Sequence, residues 1–474
     1  MGGFFHSVFA LVSLIILIYF LLINAFYLLF TVLSLFGIFR YRQLTTFVNF
    51  REVFRLPLVK PISIIAPAHN EENTIVESVK ALLSLEYPLF EVVVVNDGSS
   101  DQTLEKLMMF FQLQKTRRVF RKAVETKPIK GIYVSSLDSR LIVVDKVNGK
   151  KADALNAGLN VSKYPLFCAV DSDSLLEKDA LLKIVRPFLE DPEKTVAAGG
   201  IIRLSNGCLV ESGHVVRIKM PASFLARFQI IEYLRAFLGG RIGLSMLKSL
   251  LVISGAFGLF RKDIVLQCGG YRAGTVGEDM DLIVRMRKFL HEKKIPFRIC
   301  FIPDPICWTE APESMRLLSR QRNRWHRGLI ETLLHNRRLF LNPRYGSTGL
   351  LAMPFYAVFE MLGPLVELLG YGTFVACLFS KLVNFPFAVM FFFVAIVLGT
   401  IHSLMALLLE EYSSHRYPHL KDILIITVFG VMENFLYRQV LSLVRAKAAF
   451  DFLAGKKEWG AMRRKGFALG QVNQ

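Results

Sequence analysis

The chain has 474 residues, of which 53% are hydrophobic, and its 58 Lys and Arg residues outnumber 39 Asp and Glu residues. This length leaves room for one large or two ordinary domains, and the apolar content predicts that part of the chain lies in lipid. The basic residues cluster beside the apolar runs, at Arg40–Lys60 and in the eight arginines between Arg316 and Arg344. That placement is typical of cytoplasmic membrane flanks, so we expect no nucleic acid partner. The six cysteines form no CxxC pair and no zinc-like spacing, which predicts buried thiols.

The first predicted element is a membrane-spanning helix. No charged residue occurs from Ser7 to Phe39, a stretch longer than the roughly 20 residues that cross a bilayer. The stretch has no A-x-A-like cleavage site, so we expect it to be retained as an anchor. Basic residues that follow it predict that the next segment is cytoplasmic: Arg40, Arg42, Arg51, Arg55 and Lys60. A tight hairpin is the alternative.

Residues 61–345 predict an α/β domain. Short apolar runs alternate there with polar, helix-like stretches, a rhythm typical of a parallel sheet with crossover helices. The expected strands are Ile62–Ala66, Glu91–Val95, Leu141–Asp145 and Leu166–Val170. The expected helices include Glu72–Leu85 and Asp101–Gln114, and residues 115–132 are interpreted as a basic insertion.

The chain becomes apolar again after Arg344. Residues 345–380 contain only Glu360 and Glu367 as charged residues, and 382–409 contain no Asp, Glu, Lys or Arg, so two further crossings are expected. The uncharged part of the next run spans only Ile423–Met432, which favours an interfacial or re-entrant helix before a basic cytoplasmic tail. Glu360 and Glu367 share one helix face, and they either line a polar passage or pair with basic residues.

Two of the predicted strands end in polar turns that are suited to binding a ligand. His69, Asn70 and Glu71 follow the first strand, and Asp97 ends the second, with Asp101 as a helix cap. Ligands of open α/β sheets bind at the carboxyl ends of the strands, so Asp97 is a candidate acceptor for a base or a ribose. Each turn alone is also compatible with a simple helix cap.

A third strand is followed by Asp171 and Asp173. In an extended backbone, residues i and i+2 point to the same side, so both carboxylates can face one divalent ion. Mg²⁺ or Mn²⁺, bound through one or two carboxylates and substrate phosphates, suits this pair. A solvated turn is the alternative, and the two similar strand ends upstream favour the metal site.

Together these segments resemble family 2 glycosyltransferases, whose nucleotide-sugar-binding domain has the GT-A fold. The likeness is greatest to the membrane synthase branch, which includes the cellulose, hyaluronan and poly-N-acetylglucosamine synthases. The resemblance implies that Asp171 and Asp173 hold the nucleotide and the metal. It also implies a set of uridine ligands: Pro67, His69, Asn70, Glu71 and Asp97.

Two further segments resemble motifs of that branch. Gly149–Asn156 is similar to its K-A-x-x-L-N segment, which implies that Lys151 contacts the diphosphate, with a solvated helix start as the alternative. Ser254–Arg261 matches the acceptor-side loop, and a glycine-rich turn needed only for packing is the alternative. The resemblance implies that this loop approaches the sugar chain through four residues: Gly255, Ala256, Phe257 and Gly258.

The segment Gly277-Glu278-Asp279 precedes a helical pattern. The resemblance assigns Asp279 as the general base and places Glu278 in the acceptor site. In an inverting transfer such a base takes the proton of the acceptor hydroxyl. Asp281 is expected to be structural, although the sequence alone allows the two aspartates to exchange roles.

The segment Gln321–Trp325 matches the Q-x-x-R-W pattern of processive and lipid-acceptor enzymes. On a helix, Gln321 and Trp325 share one face. The resemblance implies that Trp325 lies under an acceptor sugar, while Gln321 and Arg324 stabilise the diphosphate. An interfacial aromatic side chain beside anionic headgroups is the alternative.

These features predict a metal-dependent, inverting glycosyltransferase with several spans in the inner or plasma membrane. The expected substrates are a UDP-sugar and a saccharide or lipid-linked acceptor, and a glycolipid with one added sugar is the alternative product. Only about three spans are expected, so a partner subunit or homo-oligomer is considered. A non-catalytic membrane receptor is the competing class, and it is disfavoured because Asp97, Asp171, Asp173 and Asp279 are all present.

The expected organisation is a GT-A domain inserted between transmembrane helices. Its parts are 1–45 (N-terminal transmembrane anchor), 46–312 (cytoplasmic GT-A catalytic domain), 313–344 (interfacial QxxRW helix), 345–410 (transmembrane helices) and 411–474 (interfacial or re-entrant helix and basic cytoplasmic tail).

Overall fold

The computed structural model describes residues 2–46, 59–211, 213–379 and 385–456. The chain divides into two compact units. One comprises the described residues within 41–222 and 250–311 and is called the sheet unit; the other comprises the described residues within 1–40, 223–249 and 312–461 and is called the helical unit. The sequence analysis did not anticipate that residues 223–249 belong to the helical unit.

The sheet unit is built on one large mixed sheet. The strand bounds are β1 Ile62–Ala68, β2 Phe90–Asp97, β3 Leu113–Thr116, β4 Ile129–Ser135, β5 Leu141–Lys146, β6 Leu166–Val170, β7 Leu175–Leu176, β8 Thr195–Leu204, β9 Leu209–Glu211, β10 His214–Arg217, β11 Phe257–Arg261 and β12 Arg298–Thr309. The strand order in the large sheet is β3-β4-β5-β2-β1-β6-β11-β8-β12-β7, and β9 and β10 form a separate antiparallel hairpin.

The centre of the sheet confirms the four predicted strands. Four adjacent strands there are parallel: β5, β2, β1 and β6. Val92–Val95 of β2 are 0% exposed, since the strand is covered on both faces. Strands buried in this way typically have a continuous run of β-branched residues. The predicted parallel sheet is confirmed at this centre, but the full sheet is mixed, since β11 runs antiparallel between β6 and β8 and β4 runs antiparallel to β5.

Helices connect these strands and form the helical unit. Their bounds are α1 Gly2–Thr46, α2 Ile75–Leu83, α3 Thr103–Phe110, α4 Lys150–Val161, α5 Ala180–Ile184, α6 Arg186–Glu190, α7 Phe224–Leu234, α8 Ile242–Met246, α9 Lys262–Gln267, α10 Glu278–Glu292, α11 Met315–His335, α12 Met353–Phe355, α13 Gly363–Phe379, α14 Phe385–Phe392, α15 Leu398–Ser413, α16 Leu420–Met432 and α17 Arg438–Leu453. Wider π-helical turns occur at Arg235–Arg241, Thr348–Ala352, Tyr356–Met361 and Phe393–Val397, a kink lies at Glu433–Tyr437, and short 3₁₀ turns occur at Arg337–Leu339 and Pro343–Tyr345.

Two sequence predictions in the sheet unit change at their ends. The helix expected over Asp101–Gln114 ends at Phe110, because the chain turns at Gln112 (φ +47) into β3. The basic insertion expected at 115–132 is bounded by β3 and β4, which pair as an antiparallel extension of the sheet edge. Main-chain pairing between strands, which the basic composition did not indicate, decides both ends.

The apolar amino-terminal segment is one helix. Ala10–Thr45 has 36 residues of high hydropathy, about 54 Å long at 1.5 Å per residue, which is enough to cross a bilayer core of roughly 30 Å. A hairpin within this segment is excluded because α1 is continuous. Elsewhere in the described part of the chain, only the bent pair Thr348–Met361 and Gly363–Ala376, with an angle of 42°, passes the same test of length and apolarity. The crossing expected over 382–409 begins at residues outside the described ranges and stays a prediction.

Within the helical unit, Glu360 and Glu367 have polar partners. Glu360 accepts a hydrogen bond from Tyr27 at 3.0 Å and forms an ion pair with Arg445 at 3.1 Å. Glu367 accepts from Tyr371 at 3.2 Å and from the Ser442 hydroxyl. The structure therefore shows the pairing alternative for Glu360.

The carboxyl-terminal region contains a break between two helices. Phe435 and Leu436 have non-helical backbone angles between α16 and α17, with Leu436 at φ +107. An interfacial or re-entrant arrangement stays a prediction for this region. The basic tail expected after it, including Lys457, Arg463 and Arg464, lies outside the described residues.

Candidate active site

Three of the predicted ligand segments meet at one edge of the sheet. β2, β1 and β6 are neighbours and run parallel, so the residues after β1, the end of β2 and the residues after β6 lie side by side. Hydrogen bonds join the first two loops: Asn70 N donates to Ser99 Oγ at 3.0 Å, and Ser100 N donates to Asn70 Oδ1 at 2.8 Å. The Asn70 side chain thus supports the neighbouring loop, and uridine binding by Asn70 stays a prediction.

Other predicted uridine ligands also belong to this pair of loops. Pro67 is the penultimate residue of β1, paired with Val95 in the parallel register. Glu71 N donates to Thr103 Oγ1 at 2.9 Å, and Glu71 Oε2 accepts from Thr74 at 3.0 Å. These contacts join the turn to the neighbouring loop and to Thr74, and uridine binding by Pro67 and Glu71 stays a prediction.

Hydrogen bonds hold both the side chain and the main chain of Asp97. Its carboxylate, which is 4% exposed, accepts at Oδ1 from Lys146 Nζ at 2.7 Å and from Gly149 N at 2.9 Å. Its main-chain oxygen accepts from Asn148 Nδ2 at 2.9 Å and lies 3.0 Å from His69 Nδ1. The next residue, Gly98, has φ +62, and a Cβ there would lie 2.7 Å from Asn148 N. Glycine therefore permits this tight turn.

The segment after β6 is a turn. Ser174 N donates to the Asp171 main-chain oxygen at 3.0 Å, so the extended backbone expected for Asp171 and Asp173 is wrong. The two carboxylates nevertheless share a neighbour. Burial is the main cause that raises the pKa of the Cys307 thiol, the Ser174 hydrogen bond opposes it, and the charges of Asp171 and Asp173 add to the rise. The charges of both aspartates thus raise the pKa of the same thiol, that of Cys307, at this edge.

The centre of the site is a group of charged side chains around Gly255, called here the Gly255 cluster: Lys151, Asp171, Glu278 and Asp279. Lys151 Nζ lies 2.5 Å from Asp171 Oδ1 and 3.5 Å from Glu278 Oε1, and it donates to Gly255 O at 3.3 Å. Gly255 N donates to Asp279 Oδ2 at 3.2 Å. A Cβ at Gly255 would lie 2.8 Å from Lys151 Nζ, so glycine allows the close approach.

The ammonium of Lys151 is stabilised in its charged form. Burial alone lowers the pKa of Lys151, but the charges of Asp171 and Glu278 outweigh burial and raise the pKa above its usual value. The side chains of Lys151 and Asp171 are 20% and 28% exposed, so they remain accessible to a ligand. The Gly255 cluster therefore combines a fixed positive charge with carboxylates at an open edge.

Two aspartates of α10 differ in their surroundings. Asp279, at the start of the helix, accepts from Met280 N at 2.8 Å and from Gly255 N. Asp281 is 0% exposed and forms ion pairs with Arg285 at 2.7 Å and Arg272 at 3.2 Å. Asp281 therefore lies in a closed ion-pair group, whereas Asp279 belongs to the Gly255 cluster.

The predicted acceptor loop is only partly a loop. Phe257 and Gly258 belong to β11, paired with β6 on one side, and Phe257 is 0% exposed. Contact between an acceptor and the Phe257 ring would require that ring to leave the core, and acceptor binding by Phe257 and Gly258 stays a prediction. Gly255 and Ala256 precede the strand, and acceptor binding by them stays a prediction.

The QxxRW segment lies on α11 of the helical unit, which confirms the predicted helix. Gln321 is buried and the Trp325 side chain is 44% exposed. The Arg322 guanidinium stacks 4.2 Å from the centre of the Trp325 ring and pairs with Glu232 at 2.8 Å. Sequence reasoning did not single out Arg322. The roles expected for Gln321, Arg324 and Trp325 stay predictions.

Sequence reasoning also missed residues that support the site from within the sheet unit. Asn156 of α4 donates from Nδ2 to Tyr271 O and accepts at Oδ1 from Tyr271 N, both at 2.8 Å. These two hydrogen bonds fix the loop that leads to Glu278. Asn156 stands in the K-A-x-x-L-N segment, so its presence was visible, but its partner lies 115 residues away. Lys146 was missed because the end of a strand carried no motif.

The comparisons with known proteins agree with this architecture. Residues 60–328 match the family described as glycosyltransferase like family 2. This match covers more than half of the chain, and the protein belongs to that family. Its mixed α/β sheet unit has a GT-A-like fold.

Curated relatives are poly-beta-1,6-N-acetyl-D-glucosamine synthases. The protein of Staphylococcus epidermidis is 27% identical over 278 residues, which cover 59% of this chain and 57% of the relative. The protein of Staphylococcus aureus strain MSSA476 is 28% identical over 298 residues, covering 62% of this chain and 61% of the relative. The chain therefore aligns with less than two thirds of either relative.

Solved structures include a mannosyltransferase from Pyrobaculum calidifontis in complex with GDP-Man and Mn²⁺. It is 15% identical, covers 88% of this chain and 99% of its own, and gives a TM-score of 0.49. A likeness at this level says nothing of ligand or function.

Proposed function

We propose that the protein is an inverting glycosyltransferase that adds a sugar from a UDP-sugar to a growing saccharide at the cytoplasmic face of a membrane. The Gly255 cluster, at the edge where the parallel strands end, carries this proposal. Family membership supports the reaction class, and the names of the staphylococcal relatives support a polymer of N-acetylglucosamine as the product. UDP-N-acetylglucosamine is therefore the first donor to test.

In this proposal, Asp279 is the general base. Main-chain N–H groups of Gly255 and Met280 each hold one oxygen of its carboxylate, so the side chain is oriented and keeps further lone pairs for an acceptor hydroxyl. The hydroxyl oxygen attacks the anomeric carbon and gives its proton to Asp279. The bond between that carbon and the diphosphate oxygen breaks, and UDP leaves from the opposite face with the bonding electron pair.

Lys151 is the group that orients the donor diphosphate. Its ammonium already lies among carboxylates at the open edge, and a diphosphate brings similar negative oxygens to that position. Among the described residues, no three His, Cys, Asp or Glu side chains converge as ligands for one metal ion. In this proposal, Asp171 and Asp173, which lie in one turn after β6, would hold a cation that takes its other ligands from substrate phosphates. Such a Mg²⁺ or Mn²⁺ ion, when bound, supplies charge that stabilises the leaving diphosphate.

The test uses the full chain, purified in detergent and returned to lipid nanodiscs. UDP release is measured with a panel of UDP-sugars in the presence of Mg²⁺ or Mn²⁺, and the product is analysed by mass spectrometry. A ladder of oligomers is the expected result. A single glycolipid would establish the alternative product, in which one sugar is added to a lipid. Absence of UDP release from every UDP-sugar, with a folded protein, contradicts the proposal.

A further inference from the structure

Lys146 is a fully buried lysine at the end of β5, beside the Asp97 carboxylate. We propose that Lys146 is a positioning residue, which fixes the spacing between the nucleoside ligand Asp97 and the helix α4 that carries the diphosphate ligand Lys151. This inference rests on the proposed function, because it takes Asp97 and Lys151 to bind the two parts of one UDP-sugar.

The ammonium of Lys146 has all its donors in use. It donates to Asp97 Oδ1 at 2.7 Å, to Val147 O at 2.6 Å and to a carboxylate oxygen of Asp153, and the Lys146 side chain is 0% exposed. A lysine ammonium has three N–H groups, so each one has a partner. The side chain therefore has one orientation, set by groups on β2, on α4 and on its own strand end.

These contacts join the two ends of the donor site. The parallel register places Lys146 opposite Asp97, and Asp153 lies in the first turn of α4, two residues after Lys151. Gly149 N, immediately before α4, donates to the same Asp97 oxygen as Lys146 does. The ammonium thus links the carboxylate at the end of β2 to the helix that carries Lys151.

The same contacts orient the Asp97 carboxylate. Within the described ranges, every hydrogen bond to this carboxylate ends at Oδ1. Oδ2 is therefore the oxygen left for the N–H or O–H groups of a base or ribose. Without Lys146, rotation of the carboxylate would exchange the two oxygens, and binding of the nucleoside would have to restore their order.

Stability alone is a weak reason for this arrangement. One ammonium between two carboxylates leaves a net negative charge in the interior, and apolar side chains in place of buried ions are often neutral or stabilising. An apolar side chain at position 146 would provide packing but no fixed link between Asp97 and Asp153. The ammonium fixes that link and, with it, the spacing between Asp97 and Lys151, which a UDP-sugar would span.

The experiment compares three forms of the full-length protein: wild type, Asp153→Asn and Lys146→Met/Asp153→Asn. The double variant removes one positive and one negative charge, so the net charge of the buried group is unchanged. Asp153→Asn is the matched control, since its amide oxygen can still accept from Lys146 and the contacts of Lys146 and Gly149 with Asp97 are kept. The dissociation constant of UDP is measured by calorimetry, and donor KM and kcat are measured for UDP release. Thermal unfolding identifies any form that is not folded.

We expect Asp153→Asn to bind UDP within about twofold of wild type. The double variant should bind UDP about tenfold more weakly, as expected for loss of a hydrogen bond to a charged group. Donor KM should rise in parallel while kcat stays within about threefold, because Asp97 does not touch the reacting atoms. A general structural defect would lower kcat as well, so this division separates positioning from folding.

Three results would overturn the inference. Equal UDP affinity in the double variant and Asp153→Asn contradicts a positioning role and leaves the proposed function intact. A fall in kcat as large as the rise in KM indicates a structural role only. If wild type itself binds no UDP, both the proposed function and the role of Lys146 fail.

Discussion

Charged side chains have different surroundings in the two units of the protein. In the sheet unit, the Gly255 cluster stays partly open, and the Lys151 and Asp171 side chains are 20% and 28% exposed. In the helical unit, the Glu433 carboxylate is 0% exposed and accepts from the Ser403 hydroxyl and from Arg235, whose side chain is 25% exposed. The open Asp171 carboxylate can exchange its partner for a ligand, whereas the enclosed Glu433 carboxylate would lose its partners inside the protein. The comparison teaches that the accessibility of a carboxylate separates groups suited to chemistry from groups suited to architecture.

The same contrast occurs within one turn of α10. Asp279 belongs to the Gly255 cluster, and Asp281 forms a closed group with Arg272 and Arg285. Sequence spacing alone allowed either aspartate to be the base. Burial now distinguishes them, and mutation of each tests the distinction.

The largest expected effect follows from Asp279→Asn. Loss of the general base should lower the rate of UDP release by about 10² to 10⁴-fold. The unfolding temperature should also fall modestly, because the single amide oxygen of asparagine can accept from only one of the two main-chain N–H groups that the carboxylate satisfies. Transfer rates and thermal unfolding of the purified protein measure the two effects.

Asp281→Asn is the control for that variant. It should destabilise the protein, since it leaves two arginine side chains without their carboxylate. If Asp279→Asn retained the parent rate while Asp281→Asn, still folded, lost transfer, the assignment of the base would be reversed.

A smaller effect is expected in the helical unit from Arg235→Met. Removing the Arg235 guanidinium, whose side chain is 25% exposed, leaves the buried Glu433 charge without its ion-pair partner, at a cost of up to about 3 kcal/mol. The free energy of unfolding is measured by denaturant titration in detergent, together with UDP affinity. UDP affinity should remain at the wild-type value in the folded fraction.

The double variant Arg235→Met/Glu433→Met removes both charges. It should recover much of the lost stability, because no buried charge then lacks a partner. Equal destabilisation by the single and the double variant would show that Arg235 contributes by packing and not by charge.

The smallest expected effect is a gain in stability from Lys150→Gly. Lys150 has φ +69, a left-handed conformation that costs a non-glycine residue about 1 to 2 kcal/mol. Glycine removes that strain but adds flexibility to the unfolded chain, so a net gain of about 0.5 to 1 kcal/mol is expected. Denaturant titration measures it.

Lys150→Ala is the matched control, since it removes the side chain and keeps the strain. Its stability should equal that of wild type. A gain of the same size in both variants would attribute the effect to the lysine side chain and not to the backbone.

Much of the fold was predictable because its signals are local. The apolar runs at Ile62–Ala66 and Leu166–Val170 gave strands, since each is long enough to be buried and ends in polar residues. The antiparallel insertion of β11 was not predictable, because the sequence of a short run such as Phe257–Arg261 does not show whether the strand runs parallel or antiparallel to its neighbours. Assignment of 223–249 to the helical unit depends on packing between distant segments.

The candidate site divides in the same way. Motif spacing and family resemblance singled out Asp97, Lys151, Asp171 and Asp279 one by one, and the structure places the last three around Gly255. The turn at Asp171–Ser174 replaced the expected extended backbone, because a main-chain hydrogen bond closes it. No spacing indicated Arg322 stacked on Trp325, since many arginines surround that segment.

The sequence by itself determined the α/β class of the sheet unit, the apolar amino-terminal helix and most candidate ligand residues, because these follow from periodicity and from residue chemistry. Only the tertiary structure decided that Lys146 meets Asp97 from 49 residues away, that Asp281 is enclosed by arginines and that Phe257 is in the core. Strand register and burial set those contacts. Strand register and burial both depend on how distant segments pack together, and no local sequence pattern encodes that packing.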